Sequence, residues 1–165
     1  MWADIFIASL WGGIVAIDTT ALMQIMISRP MMACSVVGLL LGNFPLGFVM
    51  GFLVELLYIS ELPIGAAKFA EGNVGSTAAA TLAILTTRQL PQHYFMSIAL
   101  ALILFVPLSS LGGRLVLLKR KINGVIYERL IYRDLLAPRQ INAAQLYGIL
   151  LSFLVGFITL TISSI

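Results

Sequence analysis

Asp18, Gln24, Asn43, Glu55, Glu61, Lys68, Glu71 and Asn73 are polar side chains set in a chain that is otherwise mostly apolar. The carboxylates and amides among them can give and take the hydrogen bonds that a hydroxyl-rich solute offers, and one carboxylate can hold two adjacent hydroxyls. A proton or small cation is the other solute such acids could serve. A carboxylate at the centre of a membrane helix costs roughly 2.5–3.5 kcal/mol on insertion scales, so it is retained for a reason. Asp18 lies deep in the first apolar stretch, and Glu55 ends an uncharged run over residues 30–54. Neither has an opposite charge one helical turn away. Three roles are open to these residues: a place at the membrane surface, which suits Glu61; structural pairing, with Arg29 or Lys68 neutralising Asp18 or Glu55; and a polar solute site within a helix bundle.

Catalytic chemistry has no comparable signal. His93 is the only histidine and follows Pro91-Gln92 at the start of an apolar stretch, with no nearby acid to orient it. It reads as a helix-end residue. There is no Walker-type glycine loop, zinc-ligand spacing or nucleophile elbow. Cys34 is the single cysteine, which excludes an intrachain disulfide and a cysteine metal cluster. No catalytic residue, metal or cofactor is expected, and the chain is not expected to be an enzyme by itself.

The elements that must position these residues are hydrophobic helices. The 165 residues are 60% hydrophobic and 10% charged, with a mean hydropathy of +1.02. Soluble domains carry about a quarter charged residues. Residues 30–54 and 89–113 contain no Asp, Glu, Lys or Arg, and neither does the chain after Arg139. Each run exceeds the roughly 20 residues that cross a bilayer as a helix. The strict alternation of a β-barrel is missing, as Leu39-Leu40-Leu41 shows. The fold class expected is all-α, a polytopic helical membrane protein of about five hydrophobic segments with a broken or re-entrant piece. The segments cover residues 5–28, 31–57, 74–87, 94–118 and 143–165, with a break at 62–67. The first lacks a basic leader and holds Asp18 and Gln24, so it is expected to persist as a span rather than be cleaved.

Three regions follow: membrane segments with the polar site at 1–113, a basic loop at 114–139, and a C-terminal transmembrane helix at 140–165. The loop holds Arg114, Lys119, Arg120, Lys121, Arg129, Arg133 and Arg139 against Glu128 and Asp134, and such an excess marks the cytoplasmic side. It could also dock an acidic or phosphorylated partner. Val125, Ile126, Leu130, Ile131 and Leu135 recur at helical spacing, as in an amphipathic helix on the inner membrane surface. Gly38 and Gly42, then Gly47 and Gly51, form small-xxx-small pairs that favour close helix packing within or between chains. Pro45 follows Asn43 between them, so the second segment should be two shorter pieces joined by a bend.

Taken together, these residues resemble a known family. Leu10-Trp11-Gly12-Gly13-Ile14-Val15-Ala16-Ile17-Asp18-Thr19-Thr20, with Gln24 and Ile27-Ser28-Arg29-Pro30, is similar to the opening of the IIC permease subunit of the mannose/fructose/sorbose-type phosphotransferase system. Val37-Gly38-Leu39-Leu40-Leu41-Gly42-Asn43, Gly47, Gly51 and Leu53-Val54-Glu55-Leu56-Leu57 resemble its second block, and Leu62-Pro63-Ile64-Gly65-Ala66-Ala67 its third. The blocks keep their order over about the first 90 residues. Beyond them only the hydrophobic pattern agrees.

The resemblance implies a sugar path for uptake coupled to phosphorylation. The implied partners are a IID membrane subunit, cytoplasmic IIA and IIB phosphocarriers, a hexose-type sugar and the lipid bilayer of the bacterial cytoplasmic membrane. A homo-oligomer is expected and a nucleic-acid partner is not. Asp18, Gln24 and Glu55 match polar positions of the family's first two blocks, and Asn43 stands where aspartate is usual. After Gly65-Ala66-Ala67 the family continues with a proline and an aspartate near the sugar. This chain has Lys68-Phe69-Ala70-Glu71-Gly72-Asn73, which keeps an acid and lacks the proline. The substrate-binding set so implied is Asp18, Gln24, Asn43, Glu55, Lys68, Glu71 and Asn73. Family members continue through further membrane segments, so a short or truncated form is expected. A non-transporting homologue that docks or regulates at the membrane is the alternative.

Overall fold

A computed structural model describes residues 1–22, 25–58, 72–132 and 138–164 of the chain. Six α-helices account for nearly all of them, with no strand among the described residues: α1 (Trp2–Thr20), α2 (Pro30–Leu40), α3 (Phe44–Tyr58), α4 (Gly72–Gln89), α5 (Tyr94–Tyr132) and α6 (Pro138–Ser163). A 3₁₀ turn at Pro91–His93 joins α4 to α5 and carries His93 at the surface. Segments Trp2–Thr19, Pro91–Arg129 and Pro138–Ser163 are long and apolar enough to cross a membrane. Their outward residues are large and apolar, among them Phe95, Ile103, Val106 and Ile162. Lipid solvates such a surface and water does not.

The second hydrophobic segment is a hairpin. α2 and α3 have 11 and 15 residues, about 16 and 22 Å at 1.5 Å per residue, so each falls short of a roughly 30 Å hydrocarbon core. The expected bend is a full reversal. Gly42, at φ 72°, takes the left-handed conformation that ends a helix. Asn43 N–H donates to Gly38 O at 2.7 Å and Gly42 N–H to Leu39 O at 3.1 Å, the two bonds of a Schellman motif. Asn43 then caps α3, its Oδ1 accepting from Leu46 N–H at 3.3 Å. The two helices touch through the glycines: a Cβ on Gly47 would lie 2.7 Å from Gly38 Cα, and one on Gly51 2.7 Å from Pro30 O. Gly42 therefore serves the turn, whereas Gly38, Gly47 and Gly51 serve the packing.

The third segment, residues 74–87, is shorter by sequence than the roughly 20 residues of a full span, yet it forms α4, the central helix of the fold, in contact with α1, α2, α3, α5 and α6. Its Val74-Gly75-Ser76-Thr77-Ala78-Ala79-Ala80-Thr81 run is buried throughout. Small side chains let neighbours approach from all sides: a Cβ on Gly75 would come 2.9 Å from Ser109 Cα of α5. The hydroxyls are satisfied within the helix, Ser76 and Thr77 donating to Asn73 O and Thr81 to Thr77 O. Helices α1 and α6 pack as closely, with Gly12 against Gly156 so that a Cβ on Gly156 would overlap Gly12 O.

α5 passes the start of α4 at Ser109 and runs on to Tyr132, about 35 Å further at 1.5 Å per residue. α6 returns antiparallel beside it, with Lys119 against Ser152 and Asn123 over Gly148. The expected boundary between residues 113 and 114 thus falls inside one unbroken helix, and that between 139 and 140 falls inside α6. Val125 and Ile126 belong to α5 and not to a separate helix. The break at 62–67, Leu135, and Arg133 with Asp134 lie outside the described residues.

Candidate functional site

The first segment does not remain helical to residue 28. α1 ends at Thr20, and the chain turns back so that Asp18, in its last turn, collects the backbone that follows. Asp18 Oδ1 accepts from Ile25 N–H and Oδ2 from Ser28 N–H, both at 2.9 Å. The side chain is 5% exposed. Bonds from N–H groups to an ionised acceptor are roughly twice as strong as neutral ones, which offsets the burial of the charge. Met26 sits between these anchors at φ 66°, the left-handed region that non-glycine residues rarely adopt.

The same turn is held from its other side by α3. Glu55 Oε2 accepts from Met31 N–H at 3.2 Å, at the start of α2, and Oε1 accepts from Arg29 Nη1 at 3.4 Å. A carboxylate at a helix N-terminus meets unpaired N–H groups and the positive end of the helix dipole. Pro30 opens α2, where its missing N–H costs nothing. Of the pairings open from the sequence, the structure pairs Arg29 with Glu55. Asp18 takes backbone donors instead. Both carboxylates therefore grip one segment, residues 25–31, from opposite sides.

α4 brings a third group to this end of the bundle. Asn73 Nδ2 donates to Thr19 Oγ1 at 3.3 Å, next to Asp18 in α1, and the Thr19 hydroxyl donates back to Val15 O. Trp11 Nε1 donates to Ala33 O at 2.9 Å and ties the first turn of α2 to α1. Trp11 carried no sign of this role beyond its place in the first family-like block, because an indole needs only a distant carbonyl. Asp18, Glu55 and Asn73, three of the residues singled out from sequence, thus converge with Thr19, Ser28 and Arg29.

Asn43 does not join them. It lies in the turn at the far end of α2, beside Arg88: a Cβ on Gly42 would be 3.6 Å from Arg88 Nη2. Arg88 Nη1 in turn pairs with Asp4 at 3.3 Å, and Asp4 with the N-terminal amine at 3.1 Å. Gln24, Lys68 and Glu71, like Glu61, lie outside the described residues. The converging cluster can hold a fixed backbone turn and present Glu55 and Arg29, whose side chains are 28% and 53% exposed, at an accessible edge.

The family model described as "PTS system sorbose-specific iic component" matches residues 2–165. The sorbose-specific EIIC component of Lacticaseibacillus casei is 29% identical over 120 residues, which are 73% of this chain and 40% of that protein. The sorbose-specific EIIC component of Klebsiella pneumoniae is 30% identical over 97 residues, 59% of this chain and 34% of that protein. The mannose-specific EIIC component of Escherichia coli K12 is 32% identical over 95 residues, 58% and 33%. The chain thus spans well under half the length of the curated relatives it matches. A chain in the cryoEM structure of the mannose transporter ManYZ with microcin E492 superposes with a TM-score of 0.70 at 21% identity, covering 98% of this chain and 61% of that one. At that identity the likeness is one of fold.

Proposed function

The chain belongs to the family of the sorbose-specific IIC component of the phosphotransferase system, and from that premise we propose that it forms part of a sugar path for uptake coupled to phosphorylation. The observation that carries the site is the convergence of Asp18, Glu55 and Asn73 on one end of the bundle, around residues 25–31. In this reading Glu55, Arg29 and Asn73 meet the sugar hydroxyls, and Asp18 holds the turn that places them. Gln24, Lys68 and Glu71 complete the contacts. Asn43, spent on the α3 cap, supports the hairpin.

Two features support this division of labour. Glu55 keeps lone pairs and accessible surface beyond its bonds to Met31 and Arg29, and the amide oxygen of Asn73 is a further acceptor. The chain between α1 and α2 also brings non-helical backbone to this end of the bundle, as is tolerated within a membrane only where protein or a water-filled path surrounds it. Phosphate chemistry then belongs to partners, a IID subunit in the membrane and IIA and IIB carriers in the cytoplasm, with the bacterial inner membrane as the location.

The test is uptake of radiolabelled sorbose and mannose by cells that express the chain with IID, IIA and IIB components. Alanine at Glu55, Asn73 or Glu71 should lower uptake at least tenfold while membrane expression persists. Unchanged uptake in all three variants would remove the site assignment, and failure of the chain to co-purify with a IID subunit would remove the partner.

A further inference from the structure

Beyond the Asp18–Glu55 cluster, a cavity of about 640 Å³ opens between α5 and α6, where α1 ends. Thr19 lines it from α1, Asn123 and Tyr127 from α5, and Gln145 and Ser152 from α6. Four-residue spacing puts Lys119, Asn123 and Tyr127 on one face of α5, and spacings of three and four do the same for Gln145, Gly148 and Ser152 on α6. Gly148 makes room for Asn123, whose amide atoms would lie 3.7 and 3.9 Å from a Cβ there. Lys119 is built into the wall: its Nζ donates to Ser152 Oγ at 3.3 Å, and Ser152 donates on to Gly148 O. Thr19 joins the cavity to the cluster already described, because its Oγ1 accepts from Asn73 Nδ2 at 3.3 Å. The two sites therefore share one wall.

The lining from α5 and α6 falls within two segments that are long and apolar enough to cross a membrane, Pro91–Arg129 and Pro138–Ser163. Polar side chains at such positions face protein or a water-filled cavity and mark the route of a solute. A volume of this size is that of a small-molecule site. Asn123 and Gln145 each carry two N–H donors and an acceptor oxygen, and Tyr127, Ser152 and Thr19 add hydroxyls that can do either. That mixture matches the hydroxyls of a sugar, each of which also donates and accepts. Other solutes fit less well. No acid lines the cavity among the described residues, and Lys119 and Arg120 oppose a cation. Five uncharged groups that both donate and accept outnumber the one exposed cation, Arg120, so the set suits a neutral solute better than an anion.

We propose that this cavity is a second sugar subsite, in which Asn123, Tyr127 and Gln145 hydrogen-bond the hydroxyls of a neutral monosaccharide beside the first site. The inference rests on the reading of the chain as part of a sugar path, and its test separates the two. Cys34 is the only cysteine and is buried, so Ala144→Cys, in the wall of the cavity, supplies one accessible thiol without removing a polar contact. The whole chain in dodecyl maltoside is labelled with a fluorescent maleimide in the presence of sorbose or mannose, and uptake of both sugars is measured in cells expressing the same variant with IID, IIA and IIB components. Saturating sugar should slow labelling of Ala144→Cys at least fivefold. It should leave Gly124→Cys unchanged, an exposed position outside the cavity with open space around it. Adding Asn123→Leu or Gln145→Leu should raise the half-protecting sugar concentration at least tenfold. Gln145 is exposed, so its variant tests the site even where Asn123→Leu disturbs the contact of α5 with α6. Labelling without protection, in a chain whose uptake still depends on Glu55 and Asn73, overturns the subsite and leaves the sugar path standing. Loss of both protection and uptake removes the two together. Protection that persists in both leucine variants, or that appears equally at Gly124→Cys, also overturns the proposal.

Discussion

Replacing Asp18 by alanine isolates what the carboxylate does for the turn. Ile25 and Ser28 N–H each lose an acceptor at 2.9 Å; Ser28 is buried while Ile25 is exposed, and a buried donor left unsatisfied costs about 1–3 kcal/mol. Removing the charge returns part of this, since burying a carboxylate itself carries a penalty. That return is below the roughly 2.5–3.5 kcal/mol of a helix centre because Asp18 sits in the last turn of α1. The net loss should be about 2 kcal/mol, or about 4–8 °C in Tm for a chain of this size. Asp18→Asn keeps one acceptor oxygen and turns an amide N–H toward the other donor, so it should fall between alanine and the native protein. Cys34 supplies the readout. It is the only thiol and is buried, so a fluorogenic maleimide reacts only as the fold opens. Alanine and asparagine variants melting within about 1 °C of the native chain would refute the account of Asp18 as the anchor of residues 25–31, whatever their transport behaviour.

Three further outcomes follow from the packing. Gly156→Leu forces a side chain into Gly12 O and Ala16 Cβ, where backbone blocks relief, and should abolish the monodisperse peak in detergent size-exclusion chromatography. Gly42→Ala places a Cβ at φ 72°, which costs about 1–2 kcal/mol and lowers Tm by about 2–8 °C in the same thiol assay. Glu55→Gln removes the Arg29 ion pair but keeps an acceptor for Met31 N–H. A pair this exposed contributes about 0–1 kcal/mol, so the variant should melt within about 4 °C of native while its sugar uptake falls.

The glycine pairs show where local pattern and tertiary outcome part. Spacing identified Gly38, Gly42, Gly47 and Gly51 as a packing device, and three of them pack; Gly42 became the turn because the next residue, Asn43, could cap a new helix. The bend at Asn43–Pro45 was legible, but a bend and a reversal have the same sequence signature. What separates them is the fit of Gly38 against Gly47, a contact between residues on two helices. α4 makes the same point from the other direction. Its apolar stretch, 74–87, reads as short for a span because hydropathy measures affinity for lipid, and this helix is solvated by five other helices.

The polar site was legible as a set of residues and not as a set of bonds. Asp18, Glu55 and Asn73 stand out because charge and amide are expensive in an apolar stretch, a cost that belongs to each residue alone. Their partners could not be read that way: Asp18 bonds to Ile25 and Ser28 through backbone N–H groups that every residue type except proline carries. By itself, then, the sequence determined that this is a helical membrane chain with a few costly polar residues, because length, hydropathy and charge act locally. Only the tertiary structure decided which of them clasp the 25–31 turn, which ones cap a helix, and that α4 lies at the centre, because those outcomes depend on backbone groups and surfaces brought together by the packing of helices.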